Sequence, residues 1–436
     1  MKKIMKLASI MFVAAVGLTG CNTTSASTST GTSTDTSTST STSTAEDLSK
    51  YDFTIKIGSP AAEVDWVKTQ VTNYVTSLGY TNVTVQPYAL EENEADSKVS
   101  DWSVGPDVYA FAGDKILNLM ASGALAKVNS ADLATMTTSL GEDVVAAATL
   151  GDAGTYGYPF TTNTYFMYNN TSLVPADKTT NTEDIIAACT SKSVKYNYPL
   201  KNSWYGIPFL STYGAKWNIT LSEDGKSINS IAADFNGENG IKAAKELVKL
   251  CKNANVDVTE DSGKTCTVSN AYGATVSGAW RSSDMKKDLG DNYGVARLPK
   301  LGNAESTDYC HNFLGYKLYG INPKAYGTDT ARALLDQKIA TYLISKDAQI
   351  GRYTELGTSP VNKEALASDA IKDDVIVAAV AAQIPTSVAQ TVVPSGCWAA
   401  NDALYTSISS ATGDISDETL KGWLDTFNAA ICNVGK

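Results

Sequence analysis

The side chains that could carry chemistry are unevenly represented in this sequence. It has a single histidine, His311, so a Ser-His-Asp triad, a Cys-His pair or a zinc site with several histidines would depend on one residue. The 46 Asp and Glu residues leave a pair of carboxylates for glycosidic hydrolysis open, although no motif pairs them. The sequence contains no Walker A loop, no GxGxxG turn after a strand and no GxSxG elbow. It therefore predicts no cofactor and no metal site, and it argues against most hydrolytic chemistries.

Four cysteines lie where local geometry favours pairing. Cys251 ends a helical pattern and Cys266 opens the next helical stretch, so both lie beside one connection. Cys397 and Cys432 are predicted at the open ends of an antiparallel helix pair. The N-terminal leader, described next, predicts export, and an exported chain meets an oxidising compartment. We therefore expect the disulfides Cys251–Cys266 and Cys397–Cys432.

The N-terminus predicts export. Residues 1–21 contain three lysines, an apolar run from Leu7 to Leu18, and small residues before Cys21, which is typical of a secretory signal too short to span a membrane. The last four of these residues resemble the bacterial lipobox, in which the cysteine is diacylated and becomes the mature N-terminus. The alternative is an ordinary cleaved signal with an incidental cysteine. We expect an extracytoplasmic protein anchored by lipid to the cell membrane at the cell surface.

A tether and a large globular body follow the leader. Residues 22–50 form the predicted tether; Ser and Thr dominate it, and so few apolar residues cannot offset the entropy of ordering. The whole chain of 436 residues is 43% hydrophobic, which allows a sizeable core. Its formal charge of −11 argues against a nucleic acid partner.

The body alternates short apolar strands with amphipathic helices. Phe53 to Ile57 reads as a strand, Glu63 to Leu78 as a helix, and a second strand begins at Val83. Further strands are predicted near 105–111, 274–278, 293–299 and 315–321, and further helices near 114–122, 329–346, 363–382, 400–411 and 415–432. This alternation predicts an α/β protein with mostly parallel sheets, in which ligands bind at the carboxyl ends of strands.

Several segments resemble, in order, the maltose/maltodextrin-binding proteins, the solute receptors of ABC importers. The resemblance covers about 51–436, and it is specific because many short pieces keep the family order. The pieces are Gly105 to Lys115 with Ala121 to Val128, Tyr158 to Phe160 with Tyr165 to Asn170, Ser277 to Trp280, Asn292 to Pro299, Phe313 to Asn322, Tyr342 to Asp347, Pro360 to Asn362 and Cys397-Trp398.

The resemblance implies the two-lobed type II fold of periplasmic binding proteins, with three hinge crossings. The crossings project near 160–164, 309–315 and 344–352. The N-terminal lobe would then be 51–160 plus 315–344, and the C-terminal lobe 165–308 plus 352–436. Closure of the hinge on a ligand would couple binding to recognition by the importer's permease subunits, and we expect a monomer.

The resemblance also implies which side chains hold a sugar. A sugar needs aromatic plates for its C–H faces and charged or amide groups for its hydroxyls. The positions that contact the sugar in the family correspond here to Trp280, Trp398, Trp204, Tyr205, Phe111, Asp114, Lys115, Glu91, Glu92 and Thr162. Three of these depart from the family: Phe111 replaces a tryptophan, Lys115 an arginine and Thr162 an acid, which weakens the case for maltodextrin itself.

The function expected is capture of a malto-oligosaccharide, or a related oligosaccharide, for an ABC importer, with no bond broken. Two alternatives stay open. One is a surface glycoside hydrolase, which needs two carboxylates placed across a sugar. The other keeps the fold and binds a peptide, a metal or a polyamine.

Overall fold

The structure is a computed structural model that describes residues 46–259, 264–390 and 392–433. The predicted leader, Cys21 and most of the predicted tether lie outside these residues. The strands are, in chain order, β1 (Thr54–Ser59), β2 (Thr84–Ala89), β3 (Val108–Ala112), β4 (Tyr158–Asn163), β5 (Phe166–Asn170), β6 (Lys195–Asn197), β7 (Trp217–Leu221), β8 (Ile228–Ala233), β9 (Val256–Asp257), β10 (Tyr272–Ser277), β11 (Tyr293–Ala296), β12 (Asn312–Ile321) and β13 (Ser387–Ala389).

The helices alternate with these strands in the first half of the chain and dominate its last third. In chain order they are α1 (Val64–Ser77), α2 (Ala95–Lys98), α3 (Ile116–Ala121), α4 (Ser130–Ser139), α5 (Glu142–Ala146), α6 (Thr182–Ser191), α7 (Ser203–Phe209), α8 (Glu238–Lys252), α9 (Ser282–Leu289), α10 (Pro323–Tyr326), α11 (Thr330–Leu343), α12 (Lys346–Leu356), α13 (Lys363–Leu366), α14 (Val375–Gln383), α15 (Ser395–Ser410) and α16 (Asp417–Cys432). Over the described ranges, no helix has the length and apolar character needed to cross a bilayer.

The first lobe is built on a sheet in which β1 lies between β2 and β3 and runs parallel to both. Strand β12 runs antiparallel to β3 on one side and to β4 on the other. Helix α1 covers this sheet because Val67, Val71 and Val75 recur every four residues and so lie on one buried face. The predicted β-α-β start of the body is therefore confirmed.

The second lobe is built on a sheet with the order β11-β5-β10-β6-β9. Its two faces are buried against different layers, as strand alternation requires. Tyr165, which directly precedes β5, and Met167 of β5 pack toward α6 and α8, whereas Phe166 and Tyr168 face Met285 and α14. The antiparallel helices α15 and α16 complete the first of these layers.

The predicted α/β class is confirmed, but both sheets are mixed rather than mostly parallel. Parallel pairs occur where a helix connects neighbouring strands, as between β1 and β2 or β6 and β9. Antiparallel pairs occur at β4, β5 and β12. These strands carry the chain toward or away from the other lobe, so their direction follows from the crossings rather than from β-α-β units.

The chain passes between the lobes at several points. Phe160 is buried in the first-lobe core and Tyr165 in the second-lobe core, and β12 runs from Phe313 in the second core to Tyr319 in the first. The family resemblance places a third crossing near 344–352, but this segment belongs to the first lobe. Ile344 is buried in the first-lobe core, and the Arg352 guanidinium pairs with the Glu63 carboxylate.

The chain instead leaves the first lobe later, between Val361 of the first core and Ile376 of the second. The same passage interrupts the helix predicted over 363–382, which forms as α13 and α14. Helix α14 starts anew because the Asp374 carboxylate accepts hydrogen bonds from the backbone N–H groups of Ile376 and Val377.

Both predicted disulfides are absent, since all six cysteines among the described residues are free thiols. Cys251 packs on the α8 side of the second sheet, whereas Cys266 is buried with Phe166 and Tyr168 on the opposite face. Cys397 and Cys432 lie in the same layer, and the nearby Cys432 adds to the effect of burial in raising the pKa of Cys397 to about 12.

Candidate functional site

A cleft of about 810 Å³ lies between the two sheets and is lined by side chains of both lobes. Its first-lobe wall comes from the turns that follow β2 and β3 and from the middle of β12. Its second-lobe wall comes from α7, the turn after β10 and the start of α15. Turns at strand ends position most of these side chains, as expected for an α/β sheet.

The first-lobe wall carries two ion pairs. Nζ of Lys115 lies 3.3 Å from Oδ2 of Asp114 in the turn after β3, and Nζ of Lys317 lies 3.2 Å from Oε1 of Glu92. Burial raises the pKa of Asp114, although Lys115 opposes that shift. Both pairs present charged groups to the cleft from positions fixed by the sheet.

The second-lobe wall presents aromatic faces. The rings of Trp204 and Trp280 lie 5.7 Å apart at 44°, and Trp280, which lines the cleft, is 48% exposed. Gly278 makes this arrangement possible, because a Cβ at that position would lie 1.9 Å from Cζ3 of Trp280. Trp398 meets Phe313 edge to face with centroids 6.2 Å apart, and its carbonyl accepts a hydrogen bond from the Ser203 hydroxyl.

Trp204 is held by hydrogen bonds through both its backbone and its indole. Its backbone N–H donates to Oδ1 of Asn202, the residue that caps α7. Its indole Nε1 donates to Oε1 of Gln390 at 2.9 Å. The indole plane is therefore fixed in the cleft before any ligand arrives.

Six of the side chains singled out in the sequence line the cleft. They are Trp280, Trp204, Trp398, Asp114, Lys115 and Glu92. The single histidine, His311, is not among the lining residues, so the cleft offers no imidazole for acid-base chemistry. Nor do the described residues contain a group of three His, Cys, Asp or Glu side chains that could hold a metal.

Two of the predicted aromatic contacts lie behind the cleft instead. Phe111 is fully buried in the first-lobe core against Tyr109, with centroids 5.8 Å apart, while the next residue, Ala112, faces the cleft. Tyr205 is buried against Tyr165 at 4.5 Å and supports Trp204 from behind. Neither ring can offer a face to a ligand.

The remaining two predicted residues are also displaced. Glu91 is exposed outside the cleft, where its Oε1 accepts a hydrogen bond from the backbone of Ala61 at 3.2 Å. Thr162 does not line the cleft, whereas its neighbour Asn163 does. Successive residues of a strand face opposite sides, so an alignment error of one residue on β4 exchanges the two.

Several lining residues are not among those expected from the sequence. The sequence could have indicated Lys317, because a lysine within the apolar strand β12 needs a polar environment. Gln390 and Asn163 had none, since an amide in a hinge segment is unremarkable in sequence. Lys201, Thr259 and Asp402 line the second-lobe side and are exposed.

The chain is similar in sequence to proteins of known families. The family model of bacterial extracellular solute-binding proteins matches residues 69–379. A galactooligosaccharide-binding protein of Bacillus subtilis (strain 168) is 24% identical over 300 residues, which cover 66% of this chain and 67% of that protein.

Solved structures share the fold. A structure described with the words "with acarbose" is 26% identical and has a TM-score of 0.76, and the match covers 88% of this chain and all of that one. A maltodextrin-binding protein from L. casei BL23, solved without ligand, is 21% identical, with a TM-score of 0.75 and the same coverage. These likenesses confirm the two-lobed type II architecture expected from the sequence. Because the family model spans more than half of the chain, this protein belongs to the bacterial extracellular solute-binding proteins and is a binding protein rather than an enzyme.

Proposed function

We propose that the cleft binds a neutral oligosaccharide, with malto-oligosaccharide as the first candidate, and that the protein delivers it to an ABC importer. The observation that carries this proposal is the meeting of three indoles on one wall with two ion pairs on the other. A pyranose ring has flat C–H faces and a rim of hydroxyl groups. Indoles cover the faces by burying apolar area, and charged groups bond the rim.

The charges of the cleft favour a neutral ligand. Its lining includes three carboxylates and three lysines. The carboxylates of Asp114 and Glu92 already have lysine partners, so a uronic acid or a polyamine would meet no excess of opposite charge. Hydroxyl groups, which both donate and accept, can bond both members of such a pair.

The relatives support a sugar and leave its linkage open. The curated relative is called galactooligosaccharide-binding, and the solved structures carry the words acarbose and maltodextrin. We place malto-oligosaccharide first because the resemblance seen in the sequence is to that branch. Galactooligosaccharide is the second candidate because the relative that carries this name matches two thirds of the chain.

The anchor and the importer belong to the same proposal. Cys21 lies in a lipobox-like segment outside the described residues, and a diacylated N-terminus would hold the protein at the outer face of the cell membrane. Incorporation of labelled palmitate into the wild-type chain, and its loss in Cys21→Ala, is the result expected. Equal labelling of both would reject the anchor.

Titration of intrinsic fluorescence with a panel of sugars tests the ligand class. The panel contains malto-oligosaccharides, galactooligosaccharides, a uronic acid oligosaccharide and a polyamine. We expect a saturable change with a neutral oligosaccharide, because Trp280 and Trp204 lie in the cleft. A response only to the charged compounds, or to none, would contradict the proposal.

A further inference from the structure

Gln390 lies where the two lobes meet, and it is not among the side chains singled out in the sequence. It directly follows β13, which pairs with the end of β12 nearest the second lobe. Val388, two residues before it, packs on the second-lobe core, and Val392, two residues after it, is buried in the first-lobe core. The segment therefore runs along the hinge, between the two walls of the cleft.

The backbone around Gln390 is fixed by a close approach of β12. The Gln390 N–H donates to the carbonyl of Leu314 at 2.8 Å. Gly315 faces the side chain, and a Cβ there would lie 3.0 Å from Oε1 of Gln390 and 3.1 Å from its Cβ. The absence of a side chain at this position leaves the amide room to reach the cleft, where only 8% of Gln390 remains exposed.

The side-chain amide has partners from both lobes. Its Oε1 accepts from Nε1 of Trp204 at 2.9 Å and from Nδ2 of Asn163 at 3.4 Å, and its Nε2 faces Oδ1 of Asp114 at 3.4 Å. The orientation of the amide is determined by chemistry, because an indole N–H only donates and an ionised carboxylate only accepts. A flipped amide would place donor against donor and acceptor against acceptor.

We propose that Gln390 is a positioning residue of the ligand site, holding the indole of Trp204 and the carboxylate of Asp114 in one arrangement across the hinge. This inference rests on the proposed function for its effect on affinity, but its structural part does not. One planar amide links an aromatic plate of the second lobe to a hydroxyl-binding acid of the first. The two walls therefore reach their binding arrangement together, and a ligand does not have to order them separately.

Two substitutions separate the halves of this link. Gln390→Met keeps the length of the side chain and removes both hydrogen-bonding groups. Gln390→Glu keeps an acceptor for Trp204 and replaces the donor with a carboxylate beside that of Asp114. Gln86→Met, on the exposed face of strand β2, is the matched control for replacing a glutamine with methionine.

The first measurement needs no sugar. In the wild-type protein labelled with ¹⁵N at tryptophan, the indole resonance of Trp204, assigned by its loss in Trp204→Phe, should show slow solvent exchange. In Gln390→Met it should shift and exchange faster, whereas Gln390→Glu and Gln86→Met should leave it protected. An unchanged Trp204 resonance in Gln390→Met would overturn the link to the indole.

The second measurement is affinity for the oligosaccharide that the wild type binds. Loss of a hydrogen-bonded link should weaken binding about tenfold in Gln390→Met, and Gln86→Met should bind as the wild type does. Wild-type affinity in Gln390→Met, with a melting temperature that shows it folded, would overturn the positioning role.

Gln390→Glu adds a pH profile that a purely structural residue would not give. Its carboxylate faces Asp114, with Lys115 bonded to that acid and the pair of Lys317 and Glu92 on the same wall, while Trp204 and Asn163 are uncharged. Repulsion between two carboxylates weakens binding at pH 8, and a proton shared between them restores the donor at pH 5. The ratio of mutant to wild-type affinity should therefore rise as pH falls, and a flat ratio would contradict the contact with Asp114.

The two proposals can fail separately. If the wild type binds no sugar in the panel, the proposed function fails while the exchange of the Trp204 indole still decides the link. If the wild type binds sugar and Gln390→Met binds equally well, the positioning role fails and the function stands.

Discussion

Removal of the Trp280 indole tests the aromatic wall most sharply. An indole side chain offers roughly 150–250 Å² of surface, and Trp280, which lines the cleft, is 48% exposed. A pyranose ring can therefore cover at most about 70–120 Å² of it, which at ~25 cal/mol/Å² sets an upper limit of about 2–3 kcal/mol. Incomplete coverage lowers this to about 2 kcal/mol, so Trp280→Ala should weaken oligosaccharide binding about 30-fold.

The same substitution should leave the fold intact. Trp280 lies in a short 3-10 turn, Ala279–Arg281, and belongs to neither lobe's buried core. We expect its free energy of unfolding to change by less than ~1 kcal/mol, as is usual for a half-exposed side chain. Trp280→Phe, which keeps a smaller plate, should give an intermediate affinity.

Calorimetric titration of the three proteins with one oligosaccharide measures the effect directly. Val268→Ala is a suitable control, because Val268 is 67% exposed and does not line the cleft. Equal affinity for wild type and Trp280→Ala, with both proteins folded, would refute the assignment of this indole to the ligand.

Three further substitutions test the close approach at Gly278, the buried carboxylate of Asp336 and the ion pair of Lys317. Gly278→Ala should weaken binding about as much as deleting the neighbouring indole does, since its Cβ would lie 1.9 Å from that ring; Gly422→Ala on α16, with nothing within 4 Å, should bind like wild type in the same calorimeter. Asp336 is fully buried with both carboxylate oxygens unpartnered, and burial together with a neighbouring carboxylate raises its pKa well above the usual value. With a raised pKa, Asp336 keeps its proton to a higher pH in the folded protein than in the unfolded chain. The free energy of unfolding therefore falls as pH rises above about 4, the pKa of an aspartate in the unfolded chain. Asp336→Asn should therefore raise the melting temperature more at pH 8 than at pH 4, and an equal change at both would contradict this. Lys317→Met leaves the buried Glu92 carboxylate without its ion-pair partner and should cost about 2–3 kcal/mol in urea unfolding. Adding Glu92→Gln should recover most of that loss, and additive losses would argue against the pair.

Much of the architecture could be predicted because local patterns specify it. The spacing of Val67, Val71 and Val75 predicts α1, and the alternation after Phe53 predicts β1; both elements form within one or two residues of the expected bounds. The segments that keep the order of the maltose/maltodextrin-binding proteins predict Trp280 and Trp398 as ligand contacts, and the structure has both on the cleft wall.

The errors arise where the outcome depends on distant contacts. Every residue of β3 is buried, so its pattern does not reveal which face Phe111 occupies, and the ring packs into the core. Cys251 and Cys266 are close in sequence but lie on opposite faces of one sheet. Local spacing cannot distinguish the two faces, because that choice is made by the helices packed on each side.

The prediction of the site from the sequence is incomplete for the same reason. Gln390 contacts Trp204 and Asp114, which lie 186 and 276 positions away in sequence. No short motif can reveal such a contact. The third crossing was also misplaced, because the buried Arg352 holds α12 in the first lobe through Glu63.

A crystal structure of the protein grown with maltotetraose would show directly whether the cleft holds the sugar. We expect unbroken sugar density in the cleft between the lobes, with pyranose faces against Trp280 and Trp204 and hydroxyl groups within hydrogen-bonding distance of Asp114. Sugar density elsewhere on the protein, or a closed cleft in which these indoles contact no sugar, would contradict it.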